Sequence, residues 1–170
     1  MGKIILTLDE SEMISNVNPN DRDAYYYRKA VRAVLSDKNG QIALIYAKQR
    51  DYYKLPGGGV DEGEDLEAAL SRELLEETGS KAILTEQLGE VIEWRDFDQM
   101  NQVSFAYRAL LVGEPDKPSF TQSEIDEGFE VHWATNLDEA IALVESTKAH
   151  AEIDLVFMSK RDAAILRASR

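Results

Sequence analysis

Apolar and polar residues along the chain follow two periods, and the change from one to the other marks the elements. Lys3 to Leu8 is a short apolar run suited to an added edge strand, and Ile14 to Asp23, rich in Asn, Asp and Pro, reads as a loop. Ala30 to Leu35 and Gln41 to Ala47 are β-suited runs separated by Ser36-Asp37-Lys38-Asn39-Gly40. The Asn-Gly pair supplies the positive φ of a tight turn, so a hairpin is predicted here. Beyond Lys54-Leu55-Pro56 comes Gly57-Gly58-Gly59, where backbone can approach a ligand closely because no Cβ intervenes. The period then lengthens: Leu66, Leu70 and Leu74 recur every four residues, which predicts a helix opened by Asp65 or Leu66 with one apolar flank. Ala82 to Trp94 and Val103 to Val112 read as a second hairpin around the polar stretch from Arg95 to Gln102. Phe129 to Trp133 alternates as a short strand, and Asn136 caps a helix through about Val144 with Asp138 and Glu139 in its first turn. A final helix is predicted from Glu152 to Ala168. Its Ile153, Val156, Phe157, Ala164 and Ile165 form a packing face for the chain's own core or for a partner's, which leaves room for a homodimer.

Strands, then a helix after the glycine loop, then strands again predict a mixed β-sheet with helices on its faces, an α/β architecture. The 170 residues are near single-domain length and show no internal repeat. Residues 1–24 read as an N-terminal extension and residues 25–170 as the main domain, with the final helix included. The absence of cysteine removes disulfides, thiolate metal sites and cysteine nucleophiles, so any metal chemistry must use oxygen. A formal charge of −13, with no Lys- or Arg-rich stripe, opposes binding to long nucleic acid. Small anions are compatible with it, because a bound metal supplies local positive charge. No apolar run reaches the length of a signal-peptide core or a membrane span, so a cytoplasmic setting is expected and no membrane partner.

Candidate chemistry concentrates between Gly58 and Gly79. In a helix turning about 100° per residue, Glu73, Glu76 and Glu77 share one arc about a hundred degrees wide. Like charges at this spacing each cost a helix roughly 0.2–0.5 kcal/mol, and a bound cation reverses that sign. Oxygen-only ligands suit a hard ion, Mg²⁺ or Mn²⁺. The plainer alternative is a solvated acidic face in which Arg72 pairs with Glu76.

Gly58, Glu64, Arg72, Glu73, Leu74, Glu76, Glu77 and Gly79 fall in register on a pattern that resembles the Nudix box, G-x5-E-x7-R-E-U-x-E-E-x-G-U with U aliphatic. Ser80 departs from it, standing where an apolar residue is asked for. The resemblance spans roughly Ala30 to Val144 and implies the α/β/α sandwich of the Nudix family. It also implies Mg²⁺-dependent hydrolysis of a nucleoside diphosphate linked to another group, by attack of water at phosphorus. On this resemblance Glu73, Glu76 and Glu77 hold the metal with the Gly57 carbonyl as a further ligand, and Gly58, Glu64, Arg72 and Gly79 shape the box. Arg72 orients a box glutamate, and Arg50 and Lys54 reach the phosphates. Glu127, six residues before Trp133 with Gly128 beside it, is the first choice for a later catalytic carboxylate. His132 takes a structural role, and His150 is the other histidine. Asp96, Phe97 and Asp98 stand where relatives that hydrolyse ADP-ribose or dinucleoside polyphosphates carry other residues, and no lysine follows Gly58. The expected substrate is therefore a nucleoside triphosphate or a modified nucleotide. A nucleotide sugar is the alternative, and a catalytically silent nucleotide sensor is disfavoured by the intact acids. Tyr25-Tyr26-Tyr27 is a strand start with one ring buried, or a surface on which a base stacks.

Overall fold

The structure, a computed structural model, is described for residues 2–14, 17, 19, 21–146 and 152–170. The loop expected from Ile14 to Asp23 lies partly outside these residues, and His150 lies outside them. Strands β1 (Ile4–Asp9), β2 (Tyr26–Ser36), β3 (Ile42–Ala47), β4 (Tyr52–Lys54), β5 (Lys81–Arg95), β6 (Met100–Val112) and β7 (Phe129–Ala134) join in one mixed sheet. Helices α1 (Glu10–Met13), α2 (Leu66–Thr78), α3 (Gln122–Asp126), α4 (Leu137–Glu145) and α5 (Ile153–Ala168), with a short 3-10 helix at Arg22–Ala24, complete the elements of the described residues. The sheet runs β1-β5-β6-β2-β3-β4, with β7 on β3. β1 adds to the edge in parallel with β5, β5 and β6 form the long antiparallel pair, and β6 runs parallel to β2.

Alternation along β2 divides the core into two layers. Val31, Ala33 and Leu35 face α2 and pack with Leu70 and Leu74, whereas Val34 faces the opposite layer with Leu44, Val91, Ile141, Val144, Ile165 and Leu166. This is the α/β/α sandwich, with α2 on one face and α4 and α5 on the other. The apolar side of α5 therefore serves the chain's own core. Its buried face is turned from the predicted one: Leu155, Phe157, Ile165 and Leu166 are buried together with Arg161 and Asp162, while Ile153, Val156 and Ala164 are only half-buried.

The predicted first hairpin differs. The Asn39-Gly40 turn forms, with Gly40 at φ 81°, but β2 and β3 pair only at Ser36 and Ile42. The rest of that β2 edge is taken by the glycine loop: Ala33 N–H donates to the Pro56 carbonyl at 3.0 Å, Val31 N–H to Gly58 at 2.9 Å, and Val60 N–H to Lys29 at 3.1 Å. Between β6 and β7 the chain also forms α3, because Thr121 and Glu124 make a reciprocal capping box at its start.

Helix α2 begins and ends where its chemistry dictates. Asp65 caps it by accepting the N–H groups of Glu67 and Ala68 at 2.9 and 3.3 Å, and Gly79 closes it in the left-handed region at φ 65°. Ser80, the departure from the aliphatic pattern, is buried with its hydroxyl donating to the Thr78 carbonyl at 3.3 Å.

Candidate active site

The glycine loop lies between β2 and the acidic arc of α2, and its sequence follows from what it touches. Gly57 sits at φ 130°, and a Cβ there would fall 2.1 Å from the Val31 carbonyl oxygen. Its N–H donates to Glu77 Oε2 at 2.8 Å, and Lys54 Nζ lies 2.7 Å from Glu77 Oε1. Glu77 is thus buried with both oxygens engaged. A Cβ on Gly58 would meet the Glu73 carboxylate at 2.4 Å, so this glycine makes room for a box acid. From the other face of the sheet, the buried Asp162 carboxylate accepts the Leu55 N–H at 2.8 Å and anchors the start of the loop.

Arg72 organises the remaining acids. Its Nε and Nη2 donate to Glu64 at 2.9 Å each, Nη1 to Glu73 at 2.8 Å and to Glu76 at 3.4 Å, and Nη2 also reaches the Gly59 carbonyl at 3.1 Å. The bonds from Arg72, with the Asp61 N–H, hold the Glu64 carboxyl down at about 2. Burial pushes the Glu73 carboxyl up, helped by the charges of Glu77 and Glu76 and opposed by Arg72. Glu73, Glu76 and Glu77 line one cavity of about 390 Å³ with Arg72, Ser119, Thr121 and Glu124.

Among the described residues no three acidic or histidine side chains already converge as a metal cluster. Each box carboxylate instead turns to a cationic side chain, Lys54 or Arg72. The donor set nevertheless suits a hard cation. All three side chains offer oxygen on one helix face, and the Gly57 carbonyl accepts no hydrogen bond within the described residues, unlike those of Pro56, Gly58 and Gly59.

Glu127 ends α3 and accepts the Tyr52 hydroxyl at 3.2 Å; Glu124, rather than Glu127, lines the cavity of the box acids. Burial, with the neighbouring Glu127 charge, raises the Tyr52 phenol. Lys54 Nζ lies 4.9 Å from the Phe129 ring, and Arg50 stacks 5.6 Å from Tyr52 while pairing with Glu152. Arg50 and Lys54 share a second cavity of about 300 Å³, which Arg28, Arg32, Arg95 and Arg161 also line. These four arginines were not singled out from sequence. Arg32 carries a local signal, a charge inside the apolar run from Ala30 to Leu35, whereas nothing beside Arg95 or Arg161 marks them.

The other singled-out residues fall elsewhere. Tyr25 is the buried ring of its run, donating to Asp96 at 2.8 Å, and Tyr26 and Tyr27 are exposed. Asp96 also accepts Arg22 at 3.0 and 2.9 Å, a structural role at the position where substrate-reading residues were sought. His132 packs edge-on against Tyr53 at 5.3 Å.

Comparison with known proteins agrees with this geometry. The family model described as the NUDIX domain matches residues 26–154, which include the glycine loop, α2 and Glu127 but not β1. An RNA pyrophosphohydrolase of Dinoroseobacter shibae is 37% identical over 84 residues, covering 48% of this chain and 52% of that protein. A putative 8-oxo-dGTP diphosphatase of Bacillus subtilis is 40% identical over 63 residues, covering 37% of this chain and 42% of that one. The chain thus spans about half the length of these curated relatives, or less. A NUDIX hydrolase from Nitrosomonas europaea superposes with a TM-score of 0.57 at 20% identity, over 80% of this chain and 90% of that one, which establishes likeness of fold.

Proposed function

The chain belongs to the NUDIX family, and on that premise we propose that it is a Mg²⁺-dependent pyrophosphohydrolase of small nucleotides, acting in the cytoplasm on a nucleoside triphosphate or a modified nucleotide. The observation that carries this reading is the meeting of Glu77 with the glycine loop. A buried carboxylate held by the Gly57 N–H and Lys54 stands beside two further glutamates on a face open to a cavity.

Glu73, Glu76 and Glu77, with the Gly57 carbonyl, would hold the cation. When bound, it would neutralise charge on the diphosphate oxygens and lower the pKa of the attacking water. Arg72 orients Glu73 and Glu76 for this role while fixing the loop through Glu64 and Gly59. Lys54 donates to Glu77 and is placed to turn toward a phosphate oxygen, and Arg50 lies in the adjoining cavity. Water adds to phosphorus, the bridging P–O bond breaks, and its electron pair leaves with the departing phosphate. The water's proton passes to a carboxylate, for which Glu127 beside Tyr52 is our choice.

The names of the two curated relatives support a phosphoanhydride as the bond cleaved. A nucleotide sugar is the second substrate reading. A screen of nucleoside triphosphates, nucleoside diphosphates and nucleotide sugars with Mg²⁺, measuring released phosphate with and without added pyrophosphatase, tests the proposal. Pyrophosphate release from a triphosphate is the expected result; no turnover of any nucleotide would overturn it.

A further inference from the structure

Beneath the glycine loop lies a group of buried charges that packing alone does not require. Asp162 of α5 and Glu93 of β5 are fully buried, and Arg161 and Arg32 are nearly so. Asp162 Oδ1 accepts Arg161 Nε at 2.7 Å, Arg161 Nη1 lies 3.8 Å from Glu93, and Asp162 Oδ2 accepts the Leu55 N–H at 2.8 Å. Leu55 is the first residue past β4, where the chain leaves its pairing with β3, so its buried N–H needs an acceptor from elsewhere. A neutral amide or hydroxyl would serve as that acceptor. A carboxylate must be desolvated to stand there, and a buried ion pair is often no more stabilising than well-packed neutral side chains. What the charge adds is a shorter and stronger hydrogen bond, and with it a more closely fixed Leu55.

The next three residues are held in turn. The Pro56 carbonyl accepts the Ala33 N–H at 3.0 Å, and the Gly57 N–H donates to Glu77 at 2.8 Å. The Gly58 carbonyl accepts the Val31 N–H at 2.9 Å and Arg32 Nη1 at 3.3 Å. Between them, the Gly57 carbonyl accepts no hydrogen bond among the described residues. Arg32 belongs to the same buried group as Asp162. Burial, and then the charge of Arg161, press its guanidinium down to about 10, and the charges of Asp162, Glu77 and Glu93 oppose them. Asp162 therefore acts at both ends of the turn, by a hydrogen bond at Leu55 and by its charge on the arginine that holds Gly58.

We propose that Asp162 is a positioning residue of the metal site, fixing the turn from Leu55 to Gly58 so that the Gly57 carbonyl is presented together with Glu77 to one cation. The proposal rests on the hydrolase reading above, in which that carbonyl and the box glutamates hold Mg²⁺. It gives α5 a part in the chemistry besides its part in the core. Groups that orient metal ligands from behind typically change metal affinity by about tenfold to a hundredfold when they are altered.

Calorimetric titration with Mg²⁺, without nucleotide, tests this apart from turnover. Asp162→Asn keeps the shape of the side chain and removes its charge, and it should weaken Mg²⁺ binding by about tenfold or more. Ile141→Ala, a core truncation on α4 in the same layer, should lower the melting temperature yet keep the parent's Mg²⁺ affinity. If Asp162→Asn folds poorly because Arg161 has lost its partner, Arg161→Met combined with Asp162→Asn removes both charges at once and should show the same weakening. In steady-state kinetics the Mg²⁺ concentration that half-saturates turnover should rise as far as the dissociation constant does, which decides the matter if Mg²⁺ binds only together with nucleotide. KM for the nucleotide should stay close to the parent's, because Asp162 touches the loop and not the substrate. An Asp162→Asn protein that melts lower but responds to Mg²⁺ as the parent does would overturn the proposal, as would equal weakening in Ile141→Ala. If the parent binds Mg²⁺ and hydrolyses nucleotide and Asp162→Asn matches it in both, only the positioning role falls. If Mg²⁺ binding depends on Asp162 but no nucleotide is hydrolysed, the hydrolase reading falls and the positioning role stands. A parent that neither binds Mg²⁺ nor hydrolyses nucleotide would remove both.

Discussion

Lys54 Nζ lies 2.7 Å from one oxygen of Glu77, whose other oxygen accepts the Gly57 N–H at 2.8 Å. The glutamate side chain is 4% exposed and that of the lysine 15%, so water screens the pair little. A buried carboxylate requires positive charge nearby, and here a β4 lysine supplies it at the place where a divalent ion is proposed to bind.

Lys54→Met should accordingly lower the melting temperature in chelator, at a cost of about 3 kcal/mol for breaking a buried pair. Millimolar Mg²⁺ should restore more stability to this variant than it adds to the parent, because the ion replaces the missing charge. Thermal melts in chelator and in Mg²⁺ check this. Equal Mg²⁺ shifts in the two proteins would mean that lysine and metal address different carboxylates.

Adjacent glycines should respond differently to alanine. Gly57→Ala forces a Cβ against the Val31 carbonyl at a backbone φ of 130°, so it should cost roughly 1–3 kcal/mol or more in stability. Gly58→Ala meets the flexible Glu73 carboxylate first, so the fold should survive while Glu73 is displaced and Mg²⁺ binding weakens. Melting curves together with Mg²⁺ titration distinguish the two. A Gly58→Ala protein with parental Mg²⁺ affinity would remove Glu73 from the ligand set.

Glu127→Gln should reduce turnover at saturating substrate more than Glu124→Gln does. Glu124 is occupied in its capping box, accepting the Thr121 N–H at 2.7 Å, and glutamine preserves that role. The competing outcome has a structural basis, since Glu124 lines the cavity of the box acids. Greater damage from Glu124→Gln would move the later catalytic carboxylate to that residue, and no effect from either would place the base within the box.

The parts of this molecule legible in its sequence are those whose causes are local. Asp65, the four-residue spacing of Leu66, Leu70 and Leu74, and Gly79 specify α2 without reference to the rest of the chain, and the acids ride on it. The Asn39-Gly40 turn was equally plain, yet the hairpin legs part because the glycine loop takes the β2 edge, and competition for an edge leaves no mark in either strand. The basic cavity was hidden for a similar reason. Its cations lie between residues 28 and 161 and meet only through sheet register and the docking of α5, so no window of sequence contains a basic stripe. On α5, the spacing of apolar residues could not reveal that Asp162 faces inward to hold the Leu55 N–H.

A pH-dependent prediction concerns the join between β1 and the β5–β6 turn. Arg22 donates to both oxygens of Asp9 at 2.8 Å and to Asp96 at 3.0 and 2.9 Å, and its hydrogen bonds lower the Asp9 carboxyl below its ordinary 3.8. A carboxyl lowered by folding stabilises the native state fully above its unfolded pKa and loses that contribution as pH falls through the folded value. Arg22→Gln should cost about 2 kcal/mol at pH 6, several degrees in Tm, and the gap from the parent should narrow as pH falls below 3.8. A gap independent of pH would show that Arg22 acts mainly through its stacking on Trp94, 5.0 Å away.

The central claim is that the glutamates of α2 hold a divalent cation for phosphoanhydride hydrolysis, and the most direct measurement is kcat with Mg²⁺ and a nucleoside triphosphate for the parent, Glu77→Gln and Glu67→Gln. Both residues lie on α2, but Glu77 is buried against Lys54 and the glycine loop, whereas Glu67 is exposed near the helix start. Losing a residue that holds the cation removes charge stabilisation from the transition state, so Glu77→Gln should lower kcat by about a hundredfold or more while Glu67→Gln leaves it nearly unchanged. Equal kcat for the two variants would contradict the account.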